Sequence, residues 1–154
     1  MSVHRLKNLE KSLDSLFNEV SLLDDGDINK AHLSRYLCVR TSGFLESVTR
    51  YLIANLCDGT SPQTIQNYVQ KRAKYITNLE FSKMTKLLAE FNGDWSIEFV
   101  KRISEQQKTS MNSVVSNRNN IAHGNPDSIS FLDMKQYYID VKEIAALLKD
   151  IIKK

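Results

Sequence analysis

Two cysteines, two prolines, five glycines and three histidines are few for a chain of 154 residues, and each shortage excludes something. Cys38 and Cys57 have no CxxC spacing and no Cys or His companion, so reduced structural cysteines in a cytosolic protein are expected rather than a disulfide framework or a zinc site. So little glycine and proline argues against a turn-rich all-β fold. No apolar run approaches the roughly 20 residues that span a bilayer, and the N-terminus lacks an apolar signal core. The expected location is therefore the cytoplasm, with no membrane association. A glycine-rich phosphate loop, HExxH and Gly-X-Ser-X-Gly are all missing. The acidic run Asp24-Asp25-Gly26-Asp27 invites calcium. An EF-hand loop, however, needs a glutamate at its twelfth position, and counted from Asp24 that residue is Arg35. Neither a metal nor a cofactor is expected.

What is present is ordinary in bulk and specific in one place. Hydrophobic residues make up 42% and charged residues 25%, as in soluble globular chains. The length suits one domain over residues 1–154 with a real core. A net charge of +3 is compatible with nucleic-acid binding without being diagnostic of it.

Apolar residues recur at three- and four-residue steps along most of the chain, the mark of amphipathic helices. Leu6, Leu9, Leu13, Leu16, Val20 and Leu23 predict a helix over 3–23. Asp27 is placed to cap a second over 28–57, with Leu33, Leu37, Phe44, Val48, Leu52 and Leu56 as its buried stripe. Gly43 interrupts that helix at a cost of about 1 kcal/mol relative to alanine, which predicts close approach of another helix. Ser61 and Pro62 suit an N-cap and first turn for a shorter helix over 62–76. Phe81 to Phe91 make another. Asp94 is placed to cap a long helix from Trp95 to His123, whose polar middle, residues 104–110, is expected to be exposed, bent or interrupted. Ser130 with Asp133 resembles a capping box opening a last helix over about 130–152. The expected fold is all-α, an antiparallel bundle of five to six helices.

Residues 117–124 read Asn117-Arg118-Asn119-Asn120-Ile121-Ala122-His123-Gly124. Five positions on a regular helix turn through about 500°, so Arg118 and His123 point about 140° apart. Asn119 and His123, at i and i+4, share a face. Gly124 suits the left-handed residue that ends a helix, and a helix C-terminus favours an imidazolium. A histidine there also has a bland reading, as a cap for the last carbonyls.

The string Arg-Asn-X-X-Ala-His-Gly resembles the signature of the HEPN superfamily of all-α RNases, in particular the RiboL-PSP-HEPN branch. Gly43-Phe44-Leu45-Glu46 resembles a pattern in the second helix of that branch, which implies that Glu46 faces the Arg-His motif. By spacing alone, Glu46 reads as a solvated helix residue, placed to pair with Arg50 at i,i+4. The resemblance implies a metal-independent endoribonuclease with Arg118, Asn119, His123 and Glu46 in its site. It also implies a homodimer in which two motifs meet in one cleft. The combination suits the chemistry. An imidazole titrating near neutrality can move the 2′-OH proton, a forked guanidinium can hold equatorial phosphate oxygens, and an amide can both donate and accept. RNases of this superfamily that are controlled by tyrosine adenylylation carry a tyrosine two residues after the histidine. Here that position is Asn125, so such control is not expected.

Lys71, Arg72 and Lys74, interleaved with Tyr68 and Tyr75, and with Asn120 in the octet, are the candidate RNA contacts. For the α-helical stretch the other reading is a solvated face beside core-facing tyrosines. Two functions are carried forward. One is a toxin-like or antiviral-defence ribonuclease restrained by a separately encoded antitoxin or regulator. The other is a non-catalytic RNA-binding or protein-interaction domain of the same shape. Retention of both Arg118 and His123 favours the first.

Overall fold

The computed structural model describes residues 2–127 and 129–152, and those residues form seven helices and no strand. They are α1 (Val3–Ser21), α2 (Ile28–Ala54), α3 (Gln63–Lys74), α4 (Phe81–Phe91), α5 (Gly93–Arg102), α6 (Glu105–Ala122) and α7 (Phe131–Ile151). The long helix α2 is the central post, packed by α1, α3, α6 and α7. Helices α4 and α5 form a hairpin laid against α6 and α7. One apolar cluster runs through all seven, including Leu13, Leu37, Val48, Met84, Phe99, Met111 and Leu148. Burying each such side chain is worth about 1.5–3 kcal/mol.

The count exceeds five to six because the helix expected from Trp95 to His123 is two helices. Ile103 turns extended, and Ser104 opens α6 with a reciprocal capping box. The Gln107 amide donates to Ser104 Oγ at 3.0 Å, and the Ser104 amide donates to Gln107 Oε1 at 2.9 Å. Two donors that a helix start leaves orphaned are thereby satisfied, which makes a break cheaper than a polar mid-helix turn. Asp140, buried on α7, then receives Ser110 Oγ and Gln106 Nε2 and ties the first turns of α6 to α7.

Other boundaries move by a residue or two. Asn92, not Asp94, caps α5: its extended backbone aims Oδ1 at the Asp94 amide, 3.0 Å away. Pro62 lies outside α3, and its carbonyl accepts the first helical bonds from Ile65 and Gln66. Asp27 caps α2 through the Asn29 amide at 2.8 Å, and Ser130 caps α7 through the Asp133 amide at 3.0 Å, as their spacings predict. The acidic turn is occupied by its own cation, since Asp25 pairs with the buried Lys30 at 2.8 Å. Gly43 brings no helix close, because a Cβ built there meets nothing within 4 Å. No helix of the described residues is long and apolar enough to cross a membrane.

Candidate active site at the end of α6

The octet closes α6 with a full Schellman turn. Gly124 is left-handed at φ +69°; its amide donates to the Ile121 carbonyl at 3.3 Å, and the Asn125 amide donates to the Asn120 carbonyl at 2.8 Å. Glycine takes that backbone without the Cβ penalty of other residues. The consequence is positional: His123 sits at the C-cap, exposed, with its own amide bonded to the Asn119 carbonyl at 3.0 Å. Its imidazole makes no hydrogen bond among the described residues, where His32 is the histidine whose ring does.

Arg118, one and a half turns earlier, is half-buried and held. Its Nη1 donates to the side-chain oxygen of Asn78, in the loop between α3 and α4. Asn78 has φ +53° and is the one described non-glycine residue in the left-handed region. That conformation costs an L-residue about 1–2 kcal/mol, least for asparagine. Glu46 holds the loop in that shape. Its Oε1 accepts the Asn78 amide at 3.0 Å and Thr77 Oγ1 at 3.2 Å, and its Oε2 lies 3.5 Å from Arg50 Nη2. Arg50 Nε in turn donates to the Ile76 carbonyl at 2.7 Å.

Glu46 is therefore not the solvated helix residue that its spacing alone suggests. It pairs weakly with Arg50, and it reaches the Arg-His motif at second hand, through Asn78. It is buried, at 7% exposure.

The chain after the histidine is pinned as well. Asp127 Oδ2 accepts from Arg35 Nε at 2.9 Å, and Arg35 Nη1 lies 3.2 Å from His32 Nδ1. Cys38, one turn further along α2, is buried with its thiol donating to the Val114 carbonyl at 3.4 Å. Burial pushes that thiol up to about 12; Asp127 adds to the rise and Arg118 opposes it.

Of the other expected site residues, Asn119 and Asn120 are half-buried, and both contribute their carbonyls to the helix end. The cationic triplet of α3 is divided. Lys71 and Lys74 are exposed, whereas Arg72 pairs with Glu90 of α4 at 2.9 Å. Tyr68 and Tyr75 do not face the core: they are 70% and 69% exposed. Asn78 was not legible as a site residue, although an asparagine in a short loop before a helix is a known candidate for left-handed backbone. A cavity of about 600 Å³ between the α1–α2 turn and the start of α7 contains none of the octet.

The family model of RiboL-PSP-HEPN matches residues 4–154. The chain belongs to that family. No curated protein and no solved structure matches it. The all-helical architecture is the one a HEPN domain has, and the family match includes both α2, which carries Glu46, and the octet of α6.

Proposed function

We propose that this RiboL-PSP-HEPN chain, acting as one domain over residues 1–154, is a metal-independent endoribonuclease that cuts RNA by transesterification. The observation that carries the reading is a division of labour at one helix end. Arg118 is a fixed cation, oriented by Asn78 and through it by Glu46. His123, about 7.5 Å further along the axis, is an exposed imidazole at the C-cap.

His123 takes the proton of the RNA 2′-OH. The 2′-oxygen attacks the adjacent phosphorus while the bond to the 5′-oxygen breaks. Arg118 stabilises the extra charge on the equatorial oxygens, and Asn119 orients the ribose-phosphate. The 5′-oxygen leaves with a proton given by the His123 of a second chain, and the products are a 2′,3′-cyclic phosphate and a 5′-hydroxyl. No bound ion is called for, because the substrate supplies the nucleophile.

One histidine does not readily serve as base and acid in the same event, and Arg118 and His123 diverge around the helix. Two chains related by a two-fold axis, with both octets in one cleft, relieve both difficulties. The active form is thus a homodimer, and its role is that of a toxin-like or antiviral-defence effector in the cytoplasm, held in check by a separately encoded antitoxin or regulator. The test is incubation with RNA in EDTA across a dilution series. Cleavage is expected to depend on His123 and Arg118 and to fall per chain as dimers dissociate. A sedimenting monomer that cuts at full rate removes the shared cleft.

A second reading is favoured by one observation: among the described residues no group hydrogen-bonds to the His123 ring. A non-catalytic RNA- or protein-binding domain would show RNA binding without cleavage, unchanged in His123→Ala.

A further inference from the structure

Helices α3 and α4, with the loop that joins them, gather charge that the sequence scatters. Residues 63–91 contain five cations, Lys71, Arg72, Lys74, Lys83 and Lys86, against two carboxylates, Glu80 and Glu90. Their net of three positive charges equals the formal net charge of the whole chain. Packing then sorts them. Arg72 and Tyr75 from the end of α3 meet Lys83 and Lys86 of α4 around a groove of about 170 Å³, floored by Ile76, Leu79 and Leu87. Glu90, the carboxylate on its rim, is already paired with Arg72. Lys83 and Lys86 are exposed, lie at i and i+3 on one face of α4, and make no ion pair among the described residues. Lys74 lines a different groove, against α2.

We propose that this α3–α4 groove binds single-stranded RNA, with one base stacked on Tyr75 and the flanking phosphates on Lys83 and Lys86. Three features select that occupant. An aromatic face 69% exposed beside unpaired cations is what an unstacked base and its phosphates require. The groove is too small for an α-helix about 10–12 Å across, which disfavours a helical protein partner. The third is direction. Tyr75 lies three residues before Asn78, a reach of at most about 11 Å, and Asn78 touches Arg118. A strand lying on Tyr75 is led by the same loop to the end of α6. Only this last feature rests on the nuclease reading.

The test uses a fluorescent single-stranded 2′-O-methyl oligonucleotide, which lacks the attacking hydroxyl and stays intact, with binding followed by anisotropy. Tyr75→Ala is expected to weaken binding about 5- to 150-fold, while Tyr75→Phe retains it. Lys83→Glu with Lys86→Glu is expected to weaken binding and to reduce the salt dependence, log K against log salt, by about 1.4 for two lost phosphate contacts. Lys149→Glu, on exposed α7 surface, is the control, and circular dichroism checks that each variant is folded. Three results overturn the proposal: no binding by the unaltered protein, variants that bind like the control, or a polyglutamate chain that competes equally well without regard to Tyr75. Failure of the unaltered protein to cut ordinary RNA, with the groove effects intact, would remove the nuclease and leave the groove. Cutting that persists at full rate in groove variants with unchanged binding would do the reverse.

Discussion

The side-chain oxygen of Asn78 accepts a hydrogen bond from the Arg118 guanidinium, across 40 residues of sequence. The same asparagine hands its backbone amide to Glu46 at 3.0 Å. A buried carboxylate on α2 thus sets the loop that sets the arginine.

Asn78→Gly and Asn78→Ala separate the two parts of that arrangement. Glycine keeps the left-handed backbone but removes the acceptor for Arg118. Alanine removes the acceptor and adds backbone strain of about 1 kcal/mol. RNA cleavage should fall in both variants, and urea unfolding should show the larger stability loss in alanine, which adds the backbone strain to the lost hydrogen bond. Full cleavage by Asn78→Gly would mean that Arg118 needs no such partner.

Glu46→Ala leaves the Asn78 amide and Thr77 hydroxyl without their acceptor. Losing a buried partner costs about 1–3 kcal/mol. The expected outcome is faster hydrogen exchange at the Asn78 amide, beyond the change in global stability, together with weakened cleavage. Unchanged protection at Asn78 would show that the loop holds its shape by other means.

The end of α6 allows stability and activity to be uncoupled. His123 is exposed and its ring unbonded among the described residues, so His123→Ala should move stability by no more than about 0.5 kcal/mol while abolishing cleavage. Gly124→Ala meets no atom within 4 Å, so its cost comes from the +69° φ alone. About 1 kcal/mol is expected in thermal or urea unfolding, with Gly124→Asn costing less. A larger loss in His123→Ala would mark the imidazole as a structural cap.

Cys38 supplies a pH dependence. Its thiol, ordinarily near 9, is pushed up to about 12 by burial and by Asp127. The folded chain keeps a proton that the unfolded chain releases, so this contribution is whole below about pH 9 and lost as pH climbs to about 12. Tyr138 acts in the same direction, its phenol raised by burial and by its hydrogen bond to Asp14. Comparing the unaltered chain with Cys38→Ala isolates the thiol: the variant, though less stable at pH 7, should lose less stability between pH 8 and 11. At pH 8 Cys38 should also resist a thiol reagent that labels the half-buried Cys57. Equal labelling of both would contradict the burial argument.

What the sequence determined by itself was most of what is decided within about one helical turn. Leucines at three- and four-residue steps marked α1, Asp27 and Ser130 marked helix starts, and Gly124 marked the end of α6. The octet was readable because its members are neighbours. Even the α5–α6 break was local, a Ser104–Gln107 capping box in a polar stretch expected to be exposed, bent or interrupted. Tertiary packing decided the rest. It chose Asn78 as the partner of Arg118, brought Glu46 to that loop rather than to Arg118 itself, left Gly43 facing open space and turned Tyr75 outward. It also split Lys74 from Arg72 and joined Arg72 to Lys83 and Lys86. The physical reason is range. Backbone hydrogen bonds and caps connect residues up to about four positions apart, so their signals survive in one dimension. A guanidinium finds its acceptor only where separate helices, pressed together by a shared apolar core, happen to leave the two within 3 Å or so.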